Sequence, residues 1–169
     1  MDSHAYDQRE LDRRETADRN VGFLLHDTAR LMRINYDRRM RELGLTRSQW
    51  WVLTHLYFHE GISQTELSEI LEIERATLGR LLDRLESKDW LERRIDPTDR
   101  RVKRVFLTGA VGELLQTMRA LAGELRTEAL AGLPPDRQEE FIDTLSGIKN
   151  NLSRMLLNGS SQNKDGSNG

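Results

Sequence analysis

The chain has 169 residues, of which 32% are charged and 37% hydrophobic, with no cysteine and a formal net charge of -2. That length suits one domain with a real core. Without cysteine there are no disulfides, thiol catalysis, thiol redox sensing or thiolate metal sites. Nowhere does the chain reach the ~18 consecutive apolar residues of a membrane helix, so the expectation is a cytoplasmic protein with no membrane partner.

Residues 1–19 are dominated by charge and read as a flexible arm. From Val21 the apolar positions Leu24, Leu25, Leu31, Met32 and Tyr36 recur at three and four, predicting an amphipathic helix to about Leu43, where Gly44 stops it. Thr46-Arg47-Ser48-Gln49 has the form of a capping box, as does Ser63-Gln64-Thr65-Glu66. The first opens a helix with Trp50, Leu53 and Leu56 on its buried face, closed by Gly61. The second opens a short helix carrying Leu67, Ile70 and Leu71. After Glu72-Ile73-Glu74, a turn without glycine, a further helix places Leu78, Leu81, Leu82 and Leu85 on one side and Arg75, Thr77, Arg80 and Arg84 largely on the other.

Two short helices joined by a tight turn, the second with an arginine-rich outer face, form a helix-turn-helix pattern. Trp90 to Ile95 and Arg101 to Leu107 then read as two strands around Asp96-Pro97-Thr98-Asp99, a β-hairpin wing. Thr108 fits an N-cap for a long helix to about Ala131. Gly132-Leu133-Pro134-Pro135 breaks it, and a last helix carries Phe141, Ile142, Leu145, Ile148, Leu152, Met155 and Leu156. The polar tail, residues 158–169, is expected to be disordered.

The predicted fold is therefore mainly α with a small β-hairpin wing, an α+β winged helix-turn-helix over residues 46–108. Residues 20–45 and 109–157 carry more apolar surface than such a small domain covers, which predicts that they are dimerisation helices of a two-fold homodimer. Whole-chain charge gives no support to nucleic-acid binding, but its distribution does. Between Arg75 and Arg104 stand ten basic residues against six acidic ones, a footprint for phosphate or, equally, a solvated salt-bridged face.

An enzyme would need a nucleophile, a metal set or a phosphate loop. The chain has no Gly-x-Gly-x-x-Gly, Walker or Gly-x-Ser-x-Gly sequence, and His55 and His59 lack a third ligand. No catalytic activity, cofactor or metal is expected.

The stretch Asp96-Pro97-Thr98-Asp99-Arg100-Arg101-Val102-Lys103-Arg104-Val105-Phe106-Leu107-Thr108, with Leu45-Thr46-x-x-x-Trp50 and Leu82-Asp83-x-Leu85-Glu86-x-Lys88, resembles the multiple antibiotic resistance regulator (MarR) family, within it the SlyA-like branch. The resemblance runs from about Val21 to Met155. It departs at Lys88-Asp89-Trp90, where the family usually has glycine after the lysine, so Asp89 must tolerate the helix C-terminal turn.

The resemblance implies a transcriptional regulator on a pseudo-palindromic double-stranded DNA operator, usually a repressor, with a SlyA-type activator or counter-silencer as the alternative. It implies that Arg101 enters the minor groove, oriented by Asp99 through a salt bridge. Arg100, Lys103 and Arg104 are then placed for phosphates, and Arg75, Thr77 and Arg80 for the major groove. It also implies an effector, a small aromatic carboxylate or its acyl-coenzyme A thioester, with His26, Arg30, Trp50 and Thr54 as candidate binding residues. Arg9, Arg13, Arg14 and Arg33 are further candidates for the phosphates of a coenzyme A. Against that, Trp50 and Trp51 read first as core or interface packing and only second as ligand platforms, and Arg30 can instead close a salt bridge across the dimer.

Overall fold

In the computed structural model, which describes residues 19–165, the elements follow the order the sequence predicts. The helices are α1 (Val21–Glu42), α2 (Arg47–Phe58), α3 (Gln64–Ile70), α4 (Arg75–Glu86), α5 (Gly112–Ala129) and α6 (Pro135–Asp165). The strands are β1 (Ile62–Ser63), β2 (Leu91–Ile95) and β3 (Lys103–Leu107), and a 3-10 turn (Gly109–Val111) precedes α5. The N-terminal arm, with Arg9, Arg13 and Arg14, lies outside the described residues. The chain divides into two units, one ending at Arg126 and one beginning at Thr127. Each is described by itself.

Local chemistry sets the boundaries in the first unit. Asn20 caps α1 by accepting the Phe23 amide at 2.9 Å, and Gly44, at φ +71°, turns the chain after the last helical residues. Both predicted capping boxes form: Thr46 with Gln49 opens α2, and Ser63 with Glu66 opens α3. The turn without glycine puts Glu72 at φ 52°, and Asp89 takes φ 57° after α4, as the departure at that position requires.

Two apolar clusters make the core of this unit. Val52, Leu56, Leu67, Leu78, Leu82, Leu85, Leu91 and Val105 join α2, α3, α4 and the sheet. Met40, Leu45, Trp50, Leu53, Val111, Leu115 and Met118 join α1, α2 and the start of α5. Trp90 and Leu107 pack against both clusters. The Tyr36 hydroxyl adds a hydrogen bond to the Met118 carbonyl at 3.1 Å.

The wing is a three-stranded antiparallel sheet in the order β1-β3-β2, with Arg93 opposite Val105 and Ile62 opposite Val105 on its other side. Strand β1 is an addition to the predicted hairpin. Ser63 is both its last residue and the cap of α3, so the cap signal concealed the strand. Thr108 is a second difference. It makes no side-chain cap; its hydroxyl donates to the Asp89 carbonyl and ties the turn after α4 to the end of β3.

In the second unit, α6 starts at Pro135, a residue suited to the first helical turn because its missing N–H would be unpaired there. The helix continues to Asp165, into the segment expected to be disordered. Extending an existing helix adds one hydrogen bond per residue fixed and escapes the cost of nucleation, so weak formers follow a strong start. The apolar residues Leu152, Met155 and Leu156 are exposed on it.

Candidate nucleic-acid interface and ligand cavity

The structure sorts the basic residues between Arg75 and Arg104 into two groups. Arg93 donates to Asp83 at 2.7 Å and to Glu86 through Nε at 3.1 Å, fastening β2 to α4. Those bonds hold the Glu86 carboxyl below its ordinary range, the Arg93 hydrogen bond leading. Arg94 pairs with Glu92 and lies 4.4 Å over the Phe106 ring. Lys88 sits 4.3 Å over Trp90. These charges are spent inside the wing and its root.

Arg104 belongs with them. Assigned to phosphates from the sequence, it ion-pairs here with Asp96 through Nε and donates through Nη1 to the Gly61 carbonyl at 2.8 Å. The Asp96 carboxylate also accepts the Thr98 amide at 2.7 Å, the Thr98 hydroxyl at 2.5 Å and the Asp99 amide at 3.0 Å. Its side chain is 5% exposed. The Thr98 hydroxyl first, then Arg104 and the two amides, hold this carboxyl far below the usual carboxylate range.

At the tip, Arg100, Arg101 and Lys103 are exposed, and their side chains have no ion-pair partner among the described residues. Asp99 accepts the backbone amide of Arg101 at 2.9 Å. The expected Asp99–Arg101 salt bridge is therefore replaced by a backbone contact: Asp99 fixes where the Arg101 side chain starts and leaves its guanidinium free. On α4, Arg75 is loosely paired with Glu69 at 4.0 Å, and Arg80 reaches Thr77 at 3.4 Å. Thr77 and Arg80, with Ser48 and Gln49 of α2, line one groove. Two exposed cationic surfaces result, one on the outer face of α4 and one at the wing tip.

A separate cavity of about 600 Å³ lies among α1, α2, the turn after α3 and α5. Tyr36, Trp50 and Trp51 give it aromatic walls, Arg33 and Arg47 bring positive charge, and Leu71 and Glu72 of the helix-turn-helix turn lie in its lining. Of the four expected effector residues only Trp50 lines it. Arg30 instead pairs with Asp27 at 2.6 Å on the exposed face of α1, and His26 is exposed. Thr54 lies outside the lining, near Tyr36, whose hydroxyl is pushed above its ordinary pKa by burial, with Thr54 opposing the shift.

Arg33, one helical turn beyond Arg30 and named from the sequence as a further phosphate candidate, lines the cavity, and Arg47, which the sequence reading did not name, lines it too. Arg33 makes no hydrogen bond or ion pair among the described residues. Arg47 is bound to Asp37.

Trp50 is held rather than loose. Its indole N–H donates to Asp37 at 2.8 Å, and Asp37 also accepts Arg47 Nε at 2.8 Å. Burial pushes the Asp37 carboxyl up, but Arg47 and Trp50 together outweigh it and leave the group below its ordinary value. Trp50 is thus fixed in place as a cavity wall, and Trp51, partly exposed beside it at a ring distance of 5.1 Å, is the freer aromatic surface.

A helix-turn-helix followed by a cation-tipped wing defines a winged-helix DNA-binding protein. A profile of the MarR family matches residues 43–102, the segment from the end of α1 to the wing tip. Over 80% of this chain and 99% of the other, the fold matches the crystal structure of the transcriptional regulator PA3341 with 36% identity and a TM-score of 0.70. The apo form of wild-type MarR from E. coli matches with 27% identity and a TM-score of 0.67, over 76% of this chain and 96% of that one. A cysteine-to-serine mutant of the same E. coli protein complexed with operator DNA matches with 28% identity and a TM-score of 0.61, over 76% and 92%. The chain belongs to the MarR family of DNA-binding transcriptional regulators and is not an enzyme. Among the described residues no helix is long and apolar enough to cross a membrane.

Proposed function

We propose that this regulator is a cytoplasmic, SlyA-like repressor that binds a pseudo-palindromic operator as a homodimer and is released by a small aromatic carboxylate or its coenzyme A thioester. The observation that carries the reading is the wing tip, where Arg100, Arg101 and Lys103 have no ion-pair partner among the described residues while Arg93, Arg94 and Arg104 are paired with acids. In this reading Arg101, started from Asp99, enters the minor groove, where narrow A·T-rich DNA concentrates negative potential. Arg100 and Lys103 meet phosphates, and Arg75, Thr77 and Arg80 face the major groove. The operator complex of the E. coli relative supports a DNA duplex as partner.

Residues 20–45 and 109–157 are the proposed dimerisation helices. Support comes from Val21 and Phe23 of α1, which are 65% and 62% exposed, and from Leu156 of α6 at 75%. Such apolar surface favours a self-complementary two-fold interface, and the two wings then reach half-sites about one helical turn apart.

For the effector, Arg33 is the proposed carboxylate partner and Trp51 the stacking surface. Ligand releases DNA only through unequal affinity for two arrangements of the dimer. Because Leu71 and Glu72 lie in the cavity's lining, an occupant there biases the helix-turn-helix directly. The test is a mobility shift on the promoter upstream of the coding sequence against random duplex, followed by displacement with benzoate-type acids. Preference for the promoter and release by an aromatic acid are expected. Equal affinity for both duplexes overturns the regulator reading, and operator binding that no aromatic acid or thioester weakens overturns the effector.

A further inference from the structure

Arg104 and Asp96 have chemistry that DNA contact leaves unexplained. A cation on a wing gains most at a phosphate, yet Arg104 spends two of its donors internally, on the Asp96 carboxylate and on the Gly61 carbonyl at 2.8 Å. Gly61 is fixed in turn: its amide donates to the Val105 carbonyl at 3.1 Å. Asp96 passes the anchorage outward, taking the amides of Thr98 at 2.7 Å and Asp99 at 3.0 Å. The Asp99 carboxylate then takes the Arg101 amide at 2.9 Å. One series of hydrogen bonds runs from Gly61, in the loop after α2, to the residue at the tip.

We infer that Arg104 and Asp96 are a positioning pair that sets the aim of the wing, so that Arg104 governs operator affinity without touching DNA. The inference rests on the wing reading above and assigns its control. Two acceptors lying in different directions call for a forked guanidinium, which a lysine ammonium on a single stem does not reproduce. A wing hinged at Asp96 in its absence still carries Arg100, Arg101 and Lys103, so electrostatic attraction for any duplex survives while alignment with the groove does not. Positioning is therefore read in the specific complex, and lost charge in both specific and random complexes.

The two accounts of Arg104 give opposite signs for Asp96. Removing a negative charge from a DNA-facing loop strengthens binding if charge alone matters, and weakens it if Asp96 sets the aim. The experiment measures the affinity of the full-length protein for operator and random duplex between 50 and 200 mM salt, for the wild type, Asp96→Asn, Arg104→Gln, Arg104→Lys and the Asp96→Asn/Arg104→Gln double variant. Expected are losses of about tenfold or more on the operator for each single variant, Arg104→Lys included. The double variant should be no worse than the larger single loss, and random-duplex affinity and salt slope should not change.

An Asp96→Asn protein that binds operator as tightly as the wild type, or more tightly, overturns the inference. So does an Arg104→Lys protein with wild-type affinity, or an Arg104→Gln protein whose random-duplex salt slope falls by about one ion. If Asp96→Asn does not fold, Arg104→Lys decides alone, because it keeps the charge and loses the fork. A wild-type protein without operator preference instead overturns the wing reading itself, which separates the two failures.

Discussion

Trp50 donates its indole N–H to Asp37 at 2.8 Å, joining the first turn of α2 to the C-terminal third of α1 beside the aromatic cavity. The same carboxylate holds Arg47, so one buried acid fixes an aromatic wall and withdraws one of the two cavity arginines. Replacing Asp37 with alanine orphans a buried N–H, a loss of about 1–3 kcal/mol. Chemical denaturation should show that loss with an unchanged m-value, and a variant as stable as the wild type would mean the bond contributes nothing.

Asp37, Asp96 and His55 shape the acid side of the stability profile, together with the lowered carboxyls of Glu66 and Glu86. The folded carboxyls of Asp37 and Asp96 both lie below their ordinary values. Each binds its proton less readily folded than unfolded, so its stabilisation is complete above the free aspartate pKa of about 3.9 and is lost as pH falls through the lower folded value. His55 is also lowered, by burial and then by the nearby His59. Its contribution is present above the free value of about 6.5 and is lost as pH falls below it. Melting temperature from pH 8 to pH 2 should therefore decline slightly below about 6.5 and steeply below about 4. His55→Gln should remove the upper step alone.

Three backbone positions make contrasting predictions about glycine. Gly61 sits at φ +73°, and a Cβ there would lie 2.9 Å from a ring carbon of Phe106. Gly61→Ala should cost about 2 kcal/mol from strain and overpacking. Glu72 and Asp89 occupy the same left-handed region with side chains, at φ 52° and 57°. Glu72→Gly should gain up to about 1 kcal/mol, and Asp89→Gly less, because aspartate tolerates that region better. Thermal melts of the three variants check the order; a stabilised Gly61→Ala would contradict it.

The cavity predicts a split between neighbouring arginines. Arg33→Ala should make operator binding insensitive to aromatic acids, whereas Arg30→Ala, which removes only the pair with Asp27, should leave the response intact. Titration of ligand into preformed operator complex separates them, and the reverse pattern would move the carboxylate site to the outer face of α1.

What was legible in the sequence was local. The capping boxes at Thr46 and Ser63, the stop at Gly44 and the hairpin around Asp96 involve residues within a few positions of each other, where pattern and structure share one cause. Strand β1 was hidden because two residues carry no periodicity and their partners are Val105 and Arg104, far along the chain. The internal partners of Arg104 were hidden for the same reason: its carbonyl acceptor at Gly61 lies 43 positions away, and charge alone does not reveal it. Arg30 and Arg33 lie one helical turn apart, and spacing does not tell which of them meets Asp27 and which meets the cavity.

The account depends most on Arg101. The affinity of the wild type and of Arg101→Ala for the operator and for random duplex, measured across salt concentrations, tests it directly. A loss of at least tenfold on the operator, with the random-duplex complex weakened far less and the oligomeric state unchanged, is the predicted result. An Arg101→Ala protein that still selects its operator as the wild type does would contradict it.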